Sequence, residues 1–335
     1  MKKFLLKTTV FITGFWLCSI FLANIADRIA PMNVYASSEA EEIKTLMEHK
    51  DIVQAISLGN SHSAAINFET LGVEGQVIAK AGIDLFEVKQ YAYSLVPKLP
   101  ALKTSFIPIS YFSFSRNNLL AEDTRNLRIE LYSILPTWSA LPGDGESLFL
   151  GKIHKYFRIM SIVRPDHWYQ ILSTTLAEKP VNPSLPSNLI QSDTPWGICY
   201  HFTQSDLEAI GREIGSKAAN NHLNIVEANP SIRIQSYQAL SDTIEILQSR
   251  GVRVVLFTPP YYRSYNNRFN QIAPMMIDSM HEAINSLRED YGIEYYDAST
   301  LEEFSTKPEL FYNSDHLNEC GTRAFTEYLM SEMGN

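Results

Sequence analysis

Cysteine is scarce in this chain of 335 residues: only Cys18, Cys199 and Cys320 are present. None has the spacing of a zinc finger or ribbon, and at most one disulfide, Cys199–Cys320, can form. Cysteine usage therefore says little about the redox compartment. Clustered Lys and Arg are missing as well. The net charge is −9 and no basic block occurs, which excludes a nucleic-acid role, because neutralising phosphates needs grouped cations. There are no internal repeats and no low-complexity tracts, so a solenoid or a disordered tail is not expected. Helical His-x-x-x-His spacing is absent too. His62, Asp315 and His316 consequently give no metal motif, and neither a metal nor a cofactor is expected.

What is present is the composition of a globular protein, 45% hydrophobic and 19% charged. One long apolar run stands apart. Lys2, Lys3 and Lys7 precede an uncharged stretch from Thr8 to Ala26, closed by Asp27 and Arg28. Its length suits a transmembrane helix, and the leading lysines favour a cytoplasmic N-terminus. A cleaved signal peptide, with a site near Val34-Tyr35-Ala36, is the alternative. Both export the rest of the chain. Residues 1–30 are expected to be a signal-anchor, 31–51 an amphipathic linker, and 53–335 a catalytic domain held outside the cytoplasm.

From residue 52 apolar runs alternate with amphipathic helical patterns. Strands are expected at Ile52–Leu58, Gln76–Ala79, Thr104–Ile109, Val252–Thr258 and Ile293–Tyr296. Asp84 can cap a helix with Leu85, Val88, Ala92 and Leu95 on one face. Further helices are read from Ile234 to Leu247, from Ile277 to Leu287 and from Gly321 to Met333. Continuous apolar strands alternating with helices imply an α/β fold, a doubly wound, flavodoxin-like parallel sheet of about five strands. Between 116 and 228 the alternation stops. Helical patterns (Leu127–Ile134, Leu148–Ile162, and a capping box at Ser205-Asp206-Leu207-Glu208) and a proline-rich loop, 180–195, fill a large helical insertion without a convincing strand. Insertions at that edge build lids.

Two stretches carry chemistry. Ile52 to Leu58 ends in Gly59-Asn60-Ser61-His62, a strand feeding a sharp turn with a hydroxyl at its tip. Near the other end stands Asn313-Ser314-Asp315-His316-Leu317-Asn318, just before a helix. Both lie where the carboxyl ends of parallel strands place a site. Ser61 alone reads as readily as a helix cap, and His316 alone as a surface group. Together they supply a nucleophile and its base.

Gly59-Asn60-Ser61 and His316-Leu317-Asn318 resemble the first and last blocks of the SGNH (GDSL-like) hydrolases, usually Gly-Asp-Ser and Asp-x-x-His. The resemblance covers about 53–115 and 229–335. It implies Ser61 as nucleophile, His316 as base, and oxyanion donors from Ser61, Gly82 and, in place of a missing Gly-x-Asn-Asp block, Ser113 or one of Ser110, Asn117 and Asn118. The family's acid position is occupied by Asn313. Asp315 is the preferred orienting acid and Asn313 its rival. Tyr262 and Arg263, with Tyr261 and Tyr265, follow the fourth strand and either bind a sugar or pack the loop.

The build is similar to a membrane-anchored branch of that family acting on cell-envelope polysaccharides. The implied function is O-acyl, notably acetyl, transfer to or removal from such a polysaccharide through a Ser61 acyl-enzyme. A membrane-bound acyltransferase is an implied partner, beside the membrane itself and the acyl acceptor. A general secreted esterase or lipase, and a non-catalytic envelope protein that binds a glycan or partner, are the alternatives.

Overall fold

The computed structural model describes residues 2–29, 42–43, 45–79, 83–116, 189–194, 197–202, 222 and 230–334. The helices expected within 127–134 and 148–162 lie outside them, as does all but residue 222 of the one expected within 205–226, and as do Gly82, Asn117 and Asn118. The chain divides into two compact units: Met1–Glu41 with Ala121–Ser184, and Glu42–Leu120 with Leu185–Asn335.

In the first unit, helix α1 (Lys2–Ile29) contains the whole apolar run. Among the described residues no helix is long and apolar enough to cross a membrane, so the transmembrane expectation finds no support there. Thr8, Thr9, Thr13, Ser19 and Asn24 interrupt the run's apolar residues.

The second unit holds a parallel sheet. Its strands are β1 (Ala55–Gly59), β2 (Gly75–Ala79), β3 (Thr104–Pro108), β6 (Arg253–Thr258) and β7 (Glu294–Asp297). They lie in the order β2-β1-β3-β6-β7, all pairs parallel. Counted within this sheet alone, that is the doubly wound order 2-1-3-4-5, in which the switch point falls beside the first strand. Ligands gather there, above the carboxyl ends of β1 and β3.

The strands alternate their faces with period two. Ala55, Phe106, Val255 and Phe257 join Phe304, Phe311, Phe325 and Leu329 in one cluster. The intervening Ile56, Leu58, Ile107, Val254 and Leu256 are equally buried but stand outside that cluster. Burying side chains on both faces is what makes these strands read as continuous apolar runs. Removing one, as in Leu256→Ala, would cost about 2–5 kcal/mol.

The helices begin where their caps dictate. Asp84 and Glu87 form a reciprocal capping box at α2 (Leu85–Leu95), with bonds of 2.9 and 3.1 Å. Helix α3 (Pro230–Gln248) packs against α2. Helices α4 (Arg263–Ile272) and α5 (Pro274–Tyr291) follow β6. Asn318 caps α6 (Glu319–Glu332), its side chain accepting the N–H of Gly321 at 2.9 Å. Cys320, in the first turn of α6, is disulfide-bonded and Cys18 is free.

One expectation for 116–228 fails. An antiparallel hairpin, β4 (Leu189–Thr194) with β5 (Gly197–Phe202), lies inside the stretch read as strandless. Gln191-Ser192-Asp193-Thr194 carries little apolar signal, and nearby prolines suggested a loop. Strand β5 packs against α6 and the turn before it.

Candidate active site

Strand β1 ends against β3 so closely that only glycine fits. A Cβ on Gly59 would stand 2.7 Å from the ring of Pro108. The chain then turns into a 3-10 helix, Ser61–Ala65, capped by Asn60, whose Oδ1 accepts the N–H of His62 at 3.0 Å. Ser57 Oγ donates to the Ser63 carbonyl at 2.8 Å and ties this turn back to the strand. Ser61 is left half-buried at its start.

The opposite wall is the segment before α6. Asn313 Oδ1 accepts the N–H groups of Asp315 (3.1 Å) and His316 (2.8 Å), which curls 313–316 into a tight turn. The N–H of Tyr312 donates to the His316 carbonyl at 2.9 Å, and that of Tyr262 to the Ser314 carbonyl at 2.9 Å. Gly321 lets α6 approach closely: a Cβ there would meet the Leu310 carbonyl oxygen at 2.0 Å.

The two walls meet at one contact. His316 Nε2 lies 2.8 Å from Ser61 Oγ. The other ring nitrogen, Nδ1, faces two acceptors: Asn313 Oδ1 at 3.1 Å and Asp315 Oδ2 at 3.4 Å. The rivalry between Asn313 and Asp315 thus has a divided outcome. Asn313 makes the hydrogen bond, while Asp315 supplies a buried negative charge just beyond hydrogen-bond length.

No protein-family model matches the sequence, and no curated protein matches it. Among solved structures, a candidate acylhydrolase of Bacteroides fragilis is similar over 87% of this chain and 95% of its own, at 8% identity and a TM-score of 0.39. Likeness at that level leaves the function to the residues themselves.

Asp315 is 3% exposed. Burial alone would raise its pKa, but the imidazoles of His316 and His62 outweigh it and hold the carboxyl well below the usual range. His62 Nε2 lies 3.6 Å from the same carboxylate oxygen, and His222 Nε2 lies 4.0 Å from it. Burial pushes the pKa of His62 down, and that of His222 down to about 4. Both rings are anchored through their far nitrogens. His62 Nδ1 is 2.8 Å from Ser110 Oγ, and His222 Nδ1 is 2.9 Å from the Tyr265 hydroxyl.

Ser110 occupies the region of the missing asparagine block. Its Oγ accepts the Asn60 amide at 3.0 Å. Ser113 is buried, and its oxygen accepts the Ser110 N–H at 2.8 Å. Asn60 and Ser113 line a cavity of about 10 Å³, room for about one water. A larger cavity of about 300 Å³ lies at the amino ends of the strands, beside Gln54, Lys103 and Arg253. That is the edge away from Ser61.

The sugar-binding expectation for Tyr262 does not survive. Tyr262 is 1% exposed, and its ring packs edge-on against Phe311, 5.7 Å between centroids. No face is left for a ligand. Arg263 is exposed, with its guanidinium carbon 5.9 Å from the Tyr262 ring centroid. Tyr261 and Tyr265 are buried too, packed with Tyr111 and Phe269 in an aromatic wall, Tyr111 stacking on Tyr265 and meeting Tyr261 edge-on.

Sequence reasoning grouped His62 with Asp315 and His316 only to set a metal motif aside, gave it no place in the acyl chemistry, and missed His222 altogether. His62 directly follows the nucleophile, which was the available signal. His222 stands alone in the stretch that was read as strandless, and nothing in the sequence around it pointed to the site.

Proposed function

We propose that this protein is a serine acyl-ester enzyme working outside the cytoplasm, with Ser61 as nucleophile and His316 as its base. The 2.8 Å contact between Ser61 Oγ and His316 Nε2 carries the reading. A serine hydroxyl becomes a useful nucleophile only beside a base whose far nitrogen is held, and Asn313 and Asp315 supply that hold.

The chemistry runs in two steps. Ser61 Oγ attacks the ester carbonyl while its proton passes to His316 Nε2. Asp315 lies beside the imidazolium that forms. His316 then protonates the leaving alcohol, and an acyl-Ser61 remains. In the second step His316 removes a proton from water or a sugar hydroxyl, which attacks the acyl group, and His316 then returns the proton to the departing Ser61 Oγ. The Ser61 N–H opens a 3-10 helix, so it lacks an acceptor within that helix. It is the oxyanion donor this turn offers.

The finer reading is acyl, notably acetyl, transfer to or from a cell-envelope polysaccharide. It rests on the resemblance of the two blocks to the SGNH hydrolases. Location outside the cytoplasm draws support from the lysine-led apolar helix α1 and from the disulfide at Cys320, since such bonds persist in oxidising compartments. A fluorophosphonate probe tests the chemistry. Full-length protein should be labelled on Ser61, and Ser61→Ala should not. Equal labelling of the two would refute the assignment.

A further inference from the structure

His62, which the acyl-transfer chemistry does not use, converges with two side chains that it does, Asp315 and His316. His62, Asp315 and His316 place one donor atom each within 4.8 Å of one another. Asp315 Oδ2 stands 3.4 Å from His316 Nδ1 and 3.6 Å from His62 Nε2. Both separations exceed the hydrogen bonds expected of a carboxylate, about 2.7–2.9 Å. They are close to the edge of a tetrahedron of N and O donors around one zinc ion, about 3.4 Å for bonds of about 2.0–2.1 Å.

A second observation points the same way. His62 is 3% exposed, and its buried Nε2 has no hydrogen-bond partner among the described residues. An orphaned buried nitrogen is costly unless something binds it. Its far nitrogen, Nδ1, is held by Ser110 Oγ at 2.8 Å. Metal-ligating histidines are fixed in the same manner, with the second nitrogen on a hydrogen-bond partner. On His316 the far nitrogen is Nε2, against Ser61 Oγ at 2.8 Å.

We infer that His62 Nε2, Asp315 Oδ2 and His316 Nδ1 form a binding site for a divalent transition metal of the zinc class. Two imidazoles and one carboxylate are a donor set that zinc accepts, with a fourth position left for water. His316, half-buried, gives the ion access. The site does not depend on the function proposed above, but its consequence does. Coordination at Nδ1 needs the lone pair there, so the hydrogen bond from Nδ1–H to Asn313 Oδ1, 3.1 Å, is given up and the ring proton moves to Nε2. That nitrogen then donates to Ser61 Oγ and cannot take its proton. A bound ion therefore switches the nucleophile off.

The test uses chelator-treated full-length protein titrated with zinc chloride, followed by calorimetry and by metal analysis after desalting. One ion per chain should bind to the wild type and to Ser61→Ala. His62→Gln and Asp315→Asn should each weaken binding at least about 100-fold, since losing a ligand outweighs losing its supporting partner. His281→Gln should bind as the wild type does, because His281 pairs with Asp297 elsewhere, at 2.9 Å. Near-ultraviolet circular dichroism confirms that each variant is folded. Absent binding, or binding indifferent to His62→Gln and Asp315→Asn, would overturn the site. Cobalt(II) in place of zinc should give the strong visible absorption of a four-coordinate ion, and a six-coordinate spectrum would count against it.

The consequence is read separately, as the rate of fluorophosphonate labelling of Ser61. Labelling should fall in step with zinc occupancy and return with chelator. Zinc bound without slower labelling would overturn the switch. If Ser61 is never labelled, the acyl-ester reading fails, while the binding data still decide the site.

Discussion

Ser61 Oγ and His316 Nε2 lie 2.8 Å apart across 255 residues of sequence. Neither residue has a reason to approach the other except through the sheet beneath them. If His316 is the base, His316→Gln should slow both fluorophosphonate labelling and ester hydrolysis by about 10³-fold or more. Melting temperature should hardly move, because the ring is half-buried. Unchanged rates would remove His316 from the mechanism.

The partners of His316 Nδ1 make a second prediction. In serine proteases, replacing the aspartate behind histidine costs about 10⁴-fold because the ring adopts the wrong tautomer. Here Asn313 Oδ1, a pure acceptor at 3.1 Å, already selects the Nδ1–H form. Asp315→Asn should then remove only charge stabilisation and lower kcat by about 10²-fold, well short of 10⁴. Asn313→Ala should do more damage, since the same oxygen also accepts the N–H groups of Asp315 and His316. Metal-free protein and steady-state kinetics on one activated ester would rank the two.

Gly321 is expected to tolerate nothing larger. A Cβ at 2.0 Å from the Leu310 carbonyl oxygen cannot be accommodated without moving α6 or the turn before it. Gly321→Ala should cost about 1–3 kcal/mol or more, and labelling of Ser61 should fall with it. A variant as stable and as reactive as wild type would show that this contact is soft.

Tyr262 offers the opposite case. Its hydroxyl is buried and has no hydrogen-bond partner among the described residues. Tyr262→Phe loses no bond and no packing, so denaturant midpoints should stay level or rise, by up to about 1 kcal/mol. A clear loss of stability would reveal a partner for that hydroxyl.

Acid sensitivity should appear at the edge of the sheet. Glu294 accepts two 2.6 Å bonds from Arg253 across β6 and β7, and these lower its pKa. A carboxyl with a depressed folded value contributes stability above its unfolded pKa and loses it as pH falls through the folded one. Glu294→Gln should therefore destabilise at pH 7 and converge with wild type in acid, below the usual carboxylate range. Both side chains are about one-third exposed, so the gap at pH 7 should be no more than about 1 kcal/mol. Thermal melts from pH 7 to pH 3 would show it.

Most of the sheet was legible because both of its faces are buried. Val254, Val255, Leu256 and Phe257 form an unbroken apolar run that no amphipathic helix would carry. Asp84 announced its helix by capping chemistry. The hairpin at 189–202 was not legible, since Gln191-Ser192-Asp193 shows no buried face. Ser61 and His316 could be paired from the order of elements alone. The convergence of His62 and His222 on Asp315 could not, because it depends on how three separate segments meet in space. Tyr262 misled for a related reason: an aromatic residue after a strand can face either way, and here it faces Phe311.

The clasp between the Ser61 turn and α6 also orders events in time. The N–H of Asn67 donates to Thr326 Oγ1 at 2.9 Å, over a separation of 259 residues. Contacts of that span form late, after the intervening loop has been closed by other structure. A nascent chain that has folded β1, β3 and β6 still presents Ser61 without its base. Reactivity toward the probe would then appear only once α6 has docked, which makes labelling of Ser61 a clock for the final stage of folding.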